Sequence, residues 1–349
     1  MKKENSQNLL HAVIEKGYIP KVTFDALATN FSRITMNISK NGIYINETDK
    51  ETASLSYIMW SITWNRKNFM TPYVSTKKMR ISLNVKNLHK MLKSVKKKDS
   101  LTFIITKEKP EELQVLIKPS TQPADSSAKT ETIRLPIQQL DVSDASETPD
   151  LDVLVDGSGN SVSTYRSPMI IPATDFQKIK KMINVCKTNI LVTIQKNEYI
   201  SFEAGSENVT GNKLEFGQLT YYPENSEEDG EEGEDVQNDE EEDGDQEEED
   251  GEENDEVEEE TENCGEEVEE GDDEEYYDED YPDVYCKFFT IPPFASLAKL
   301  PGLCTQIEFY APRFEGYPLK IGATALSGLG EIKVYVKDKE IIESLEKGK

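Results

Sequence analysis

The strongest constraint on the fold is a pattern that recurs four times along the chain: a short amphipathic helix segment, a strand, a turn and a second strand. The first helix segment is PKVTFDALATNF, residues 20–31, with Phe24, Leu27 and Phe31 on one face. Pro20 falls in its first turn, where a missing N–H costs no helical hydrogen bond. The alternating stretch ITMNISKNGIYINET follows, and its Asn41-Gly42 pair predicts a hairpin turn. The second segment, NVKNLHKMLKSV at 84–95, carries the stripe Val85, Leu88, Leu92 and Val95, and the strands SLTFIIT and ELQVLIK come after it. The third is PATDFQKIKKMINV at 172–185, with Thr174 or Asp175 as N-cap, followed by NILVTIQKNEYISFEA. The fourth is PPFASLAKL at 292–300, followed by TQIEFYAPRFEGYPLKIGATA and a last strand, EIKVYVKD, expected to close the ordered chain. Helices this short are not stable alone and must cover one face of a sheet. The expected class is α+β: two similar domains of antiparallel sheets with short helices on one face.

Residues 137–166 separate the second unit from the third. Their turn-rich stretches DVSDASETPD and DGSGNS read as an interdomain connector between a domain at 1–136 and a second at 167–349.

Charge divides the chain again. The formal net charge is -29, from 39 Lys+Arg against 68 Asp+Glu. Residues 224–280 alone hold 37 of those acids and no Lys or Arg, so the rest of the chain carries +8. Such a segment cannot bury enough apolar surface to offset its ordering entropy, and 224–280 is expected to be a disordered acidic insertion. The net charge therefore does not exclude a phosphate ligand for the mildly basic body.

That body concentrates lysine on the polar faces of its helices. Lys86, Lys90, Lys93 and Lys97 recur at spacings of four, three and four, opposite the apolar stripe of the second helix. Lys178 and Lys181 lie opposite Phe176, Ile179 and Ile183 on the third, with Lys180 beside them. Lys21 and Lys299 mark the first and fourth, and Asp25 and Asp175 interrupt the basic character. Mobile point charges of this kind suit contact with phosphate irrespective of base sequence. A plain solvated helix face is the alternative.

The residues then resemble a known family. NGIYINETDKETASLSYI, MRISLNVKNLHKMLKSVKKKDSLTFIIT, YRSPMIIPATDFQKIKKMI and YPLKIGATALSGLGEIKVYV, in this order and spacing, are similar to the proliferating cell nuclear antigen family of sliding clamps. The resemblance implies two similar domains per subunit, usually in a homotrimeric ring. Helices line the hole, double-stranded DNA passes through it, and DNA polymerase and other clamp-binding proteins are tethered outside. It implies that Lys21, Lys90, Lys93, Lys178, Lys181 and Lys299 face DNA, to which the helical stripe adds Lys86. It implies a partner-peptide pocket with Ala53, Leu55, Leu140, Pro318 and Tyr335, rimmed by connector residues such as Ile137, Leu151, Val153 and Leu154. It also implies a subunit interface where TETIRLP, with Ile133 and Leu135, pairs with NKLEFGQLT, with Leu214 and Phe216, of the next subunit. The sequence departs from the family pattern at Thr48 and at Lys337-Asp338. A clamp loader and a place at replication sites, in a nucleus or a viral replication compartment, complete the expectation.

Other chemistries find less support. His11 and His89 are far apart, no paired carboxylates stand out, and DGSGNS lacks the strand and long helix of a phosphate loop. The cysteines Cys186, Cys264, Cys286 and Cys304 have neither zinc nor redox spacing. No catalytic residue, metal or cofactor is therefore expected. No apolar run approaches membrane-span length and no signal peptide opens the chain, so a soluble intracellular protein is expected. A second reading stays open, in which residues 224–280 act as an acidic histone-chaperone-like or scaffold element for basic partners.

Overall fold

The computed structural model describes residues 7–49, 58–120, 130–142, 151–155, 159–185, 189–204, 212–217, 284–325 and 328–347. The acidic insertion at 224–280, and with it Cys264, lies outside them, as do Ala53, Leu55 and Cys186.

The first part of the chain runs β1 (Asn8–Ile14), α1 (Tyr18–Asn30), β2 (Arg33–Ser39), β3 (Gly42–Thr48), β4 (Ile58–Asn65), β5 (Met70–Ser75), β6 (Met79–Asn84), α2 (Val85–Met91), β7 (Ser100–Thr106), β8 (Glu112–Lys118) and β9 (Glu131–Leu140). The second runs β10 (Val153–Val155), β11 (Ser161–Ser163), β12 (Met169–Pro172), α3 (Ala173–Val185), β13 (Asn189–Gln195), β14 (Tyr199–Ala204), β15 (Asn212–Gly217), β16 (Val284–Thr290), α4 (Ile291–Ser296), β17 (Gln306–Tyr310), β18 (Leu319–Thr324), β19 (Gly330–Val336) and α5 (Lys339–Lys347). Among the described residues, the strand pairings are all antiparallel. The α+β expectation holds.

Thirteen strands form one continuous sheet in the order β12-β17-β18-β19-β4-β3-β2-β6-β9-β8-β7-β1-β5, and β15-β14-β13-β16 form a second. The large sheet crosses from one part of the chain to the other where β19 pairs with β4, from Val336↔Ile58 to Gly330↔Trp64. At Gly330 an added Cβ would sit 1.8 Å from the Thr63 carbonyl oxygen, so only glycine lets the backbones approach this closely. Gly42 does related work at the β2–β3 hairpin, with φ +145 and the Trp64 carbonyl oxygen 2.1 Å from a built Cβ. The two-residue turn is Lys40-Asn41, one position before the expected pair, because Ser39 pairs with Gly42 itself.

All four expected helices form. Asn84 caps α2 by accepting from the Asn87 N–H at 2.9 Å. Neither Thr174 nor Asp175 caps α3, which already starts at Ala173; Asp175 lies in its first turn and pairs with Lys178 instead. A fifth helix, α5, follows the strand expected to close the ordered chain. The Lys337-Asp338 departure opens it, since the Asp338 carboxylate accepts from the Ile341 N–H at 2.9 Å.

Aromatic packing fixes the helices to the sheets. Phe24 of α1 meets Trp64 edge-on at 5.8 Å and Phe103 at 6.3 Å. Phe176 of α3 lies 6.2 Å from Phe309, and Phe294 of α4 lies 5.3 Å from Phe289. These rings are fully buried, each contributing on the order of 1.5–3 kcal/mol.

Candidate nucleic-acid interface and partner pocket

The helices form a layer of their own. α1 packs on α2 on one side and on the 3-10 turn Leu297–Gly302 on the other, and α3 packs on α4 and on that same turn. One stripe of each helix is buried against the sheets, so the opposite stripes share the free face of the layer. Lys86, Lys90, Lys93, Lys178, Lys181 and Lys299 are all exposed there. Lys97 and Lys98, in the turn after α2, and Lys180, on α3, are exposed as well.

These lysines are not equivalent. Lys21 is half-buried, and its ammonium donates to the Lys93 carbonyl at 2.9 Å and the Val95 carbonyl at 2.7 Å. It ties α1 to the turn that ends α2. Lys178 is held by Asp175 at 2.7 Å. Lys299 is held by Asp25 at 2.7 Å, and the same carboxylate faces His89 Nε2 at 3.5 Å. Asp25 therefore gathers α1, α2 and the turn after α4. The sequence marks it only as an exception to the basic pattern, because both partners lie on other elements.

The second group lies on the sheet. Tyr335, on β19, is 5% exposed and packs with Met59 and Tyr165, with Leu151 and Tyr310 against them. Pro318 is buried, and its carbonyl accepts from the Tyr165 hydroxyl at 3.1 Å. The connector contributes Asp152. Its carboxylate accepts from the Tyr335 hydroxyl at 3.0 Å, from Lys320 at 3.2 Å and from Lys333 at 2.6 Å. The Lys320 ammonium sits over the Tyr310 and Tyr165 rings, at 4.0 and 4.6 Å from their centroids. Burial alone would raise the Asp152 carboxyl, but the Lys333 hydrogen bond and the two ammonium charges outweigh it and hold it below the usual carboxylate range. Burial dominates at Lys320 and pulls it down despite its partner, so the shorter bond to the more exposed Lys333 is the stronger anchor.

Of the expected pocket residues, the structure brings Pro318 and Tyr335 together through Tyr165. Leu140 lies at the end of β9, paired with Arg80, and does not join that cluster. A separate cavity of about 830 Å³ lies among residues including Arg166, Tyr285, Lys287, Arg313, Phe314 and Asp338. None of the five expected pocket residues lines it.

Residues 9–144 match the family model for the proliferating cell nuclear antigen, N-terminal domain. That part of the chain is thus similar to the N-terminal domain of the sliding clamps. No curated protein matches the chain.

The two expected interface strands both present an edge. Residues 131–136 of β9 pair with β8, while β6 takes only 137–140 on the other side. Among the described residues, β15 ends its sheet and pairs only with β14. Ile133 and Leu135 point inward and are buried, and Leu214 and Phe216 are partly buried against the core. These four side chains thus anchor the strands, and the backbone edge is what remains to be paired. Among the described residues, no helix is long and apolar enough to cross a membrane.

Proposed function

We propose that this chain is a DNA polymerase processivity factor, a non-catalytic clamp that encircles duplex DNA without sequence specificity. The observation that carries this reading is the row of exposed lysines on the free face of a continuous helix layer. Such charges give weak, salt-sensitive phosphate contacts that permit sliding, while a closed ring supplies retention topologically. Two similar domains, 1–136 and 167–349 joined by 137–166, would make one subunit of a homotrimer. Pairing the 131–136 edge with β15 of the next subunit would close the ring. A clamp loader and replication or repair enzymes are its partners, at sites of DNA replication. The Tyr335 and Pro318 region is their docking site.

The test is a processivity assay on primed circular DNA with the replicative polymerase. Changing Lys90, Lys93, Lys178 and Lys181 to Ala should abolish or strongly reduce stimulation while leaving the melting temperature near that of the parent. Undiminished stimulation at moderate salt would refute the lysine assignment. Light scattering should give three chains per particle, and a strict monomer at micromolar concentration would remove the ring.

A further inference from the structure

We propose that Asp25 is a positioning residue that withholds Lys299 from DNA, so that the helix layer binds phosphate more weakly than its lysine content implies. This inference rests on the DNA-facing reading above and goes on to name what limits the strength of that contact.

The layer holds little acid. In α1, α2, α3, α4 and the turn Leu297–Gly302 the carboxylates are Asp25 and Asp175, and each is paired with a lysine of the layer. The two pairs differ in kind. Asp175 and Lys178 lie one turn apart on the same helix, and the Lys178 side chain is 64% exposed. A pair of this sort on an exposed helix face is weak and screened by salt, so Lys178 stays available to a phosphate. Asp25 instead joins three elements. Its Oδ2 holds the Lys299 ammonium, from the turn after α4, at 2.7 Å, and its Oδ1 faces Nε2 of His89, on α2, at 3.5 Å. The Asp25 side chain is 26% exposed, and the His89 Nδ1 is buried without a hydrogen-bond partner. Both carboxylate oxygens are therefore turned along the layer, toward its neighbouring elements.

This arrangement decides which lysines can follow a phosphate. A phosphate that takes Lys299 must break a short charge-assisted contact, and it must do so beside the carboxylate that it strips. The two anions then repel each other at close range, so the exchange is opposed twice. Among the described residues, Lys86, Lys90, Lys93 and Lys181 have no carboxylate partner, and they carry the contact. Lys299 serves the fold instead, tying the turn after α4 to α1. One cation of the face is thereby kept back from counterion release, which lowers both affinity and its salt dependence.

The test is lysine acetylation footprinting of the full chain with and without a short linear duplex at low salt, read by mass spectrometry. In the parent, DNA should protect Lys90, Lys93 and Lys181 several-fold and leave the labelling of Lys299 unchanged. In Asp25→Asn, with folding checked by circular dichroism, DNA should protect Lys299 as well. The slope of log affinity against log salt should steepen by about 0.9 in Asp25→Asn, the value for one further phosphate neutralised, and should return to that of the parent in Asp25→Asn with Lys299→Ala. A merely structural role for Asp25 would give Lys299 no new protection. DNA protection of Lys299 in the parent overturns the inference, and that measurement needs no variant to fold. Lack of protection at Lys299 in a folded Asp25→Asn overturns it too. A steeper slope that survives Lys299→Ala would assign the effect to direct repulsion by Asp25 and overturn it likewise. Absence of protection at Lys90, Lys93 and Lys181 in the parent removes the DNA reading itself, and this inference with it.

Discussion

The Lys21 ammonium donates to two carbonyls of the turn that ends α2, and this costs it the freedom that binding a phosphate needs. Its neighbours Lys86, Lys90 and Lys93 are exposed on the same layer. The four therefore separate on mutation. Lys21→Ala should destabilise the fold by roughly 1–3 kcal/mol in urea titration, because two carbonyls at a partly buried position lose a charged donor. Lys90→Ala should change stability by less than about 0.5 kcal/mol. Equal stability of the two variants would show that the Lys21 bonds contribute nothing. Asp152 supplies a pH prediction with a fixed sign. Its folded carboxyl titrates below the ordinary value of about 3.9, so its contribution is complete above that value and is lost as pH falls through the lower folded value. The stability deficit of Asp152→Asn should thus be constant above the ordinary carboxylate range and should shrink as pH falls below it. A deficit that grows in acid would contradict the pairing. The sequence does not disclose this network, since Asp152 meets Lys320 and Lys333 across 168 and 181 residues. The lysine stripes are legible because helical periodicity is local.

Elements follow the same division. β7 and β8 span the expected SLTFIIT and ELQVLIK, since strict alternation with one face buried sets both length and register. α5 escapes a reading of the sequence because its nine residues KEIIESLEK contain five charges and bury only Ile342, so the pattern is close to that of a polar tail. Its start depends on the Asp338 cap, which has meaning only once β19 is known to end at Val336. The β4–β19 seam is likewise invisible in sequence, although it joins the two parts of the chain in one sheet. It gives a sharp prediction at this scale. Gly330→Ala would press a methyl group into the Thr63 carbonyl, so the strands must part locally. The expected destabilisation is roughly 1–3 kcal/mol, with faster amide exchange in both β4 and β19. Gly159, with nothing within 4 Å of a built Cβ but φ +87, is the control: any penalty for Gly159→Ala comes from backbone strain and stays local. A neutral Gly330→Ala would mean that the seam tolerates displacement.

At the scale of the whole molecule, charge decides between the body and the acidic run. Removing residues 224–280 changes the formal net charge from -29 to +8 without touching a described residue. If the lysine-bearing helix layer carries the DNA function, the shortened chain must keep its fold and its stimulation of the polymerase. Its salt sensitivity then becomes the informative quantity. Every phosphate that a lysine no longer neutralises lowers the slope of log affinity against log salt by about 0.9, so the four-lysine variant should show a shallower slope than its parent in both the full and the shortened chain. The long-range repulsion contributed by 37 acids is screened beyond about 8 Å at physiological salt. Deletion should therefore strengthen DNA association chiefly at low salt, with the two chains converging as salt rises. Abolished stimulation on deletion, with the fold intact by circular dichroism, would transfer the function to the acidic segment and support the scaffold reading. Retained stimulation with a lysine-dependent slope places it in the body. Net charge alone hides this distinction, because a single number averages a basic framework with a segment of opposite sign.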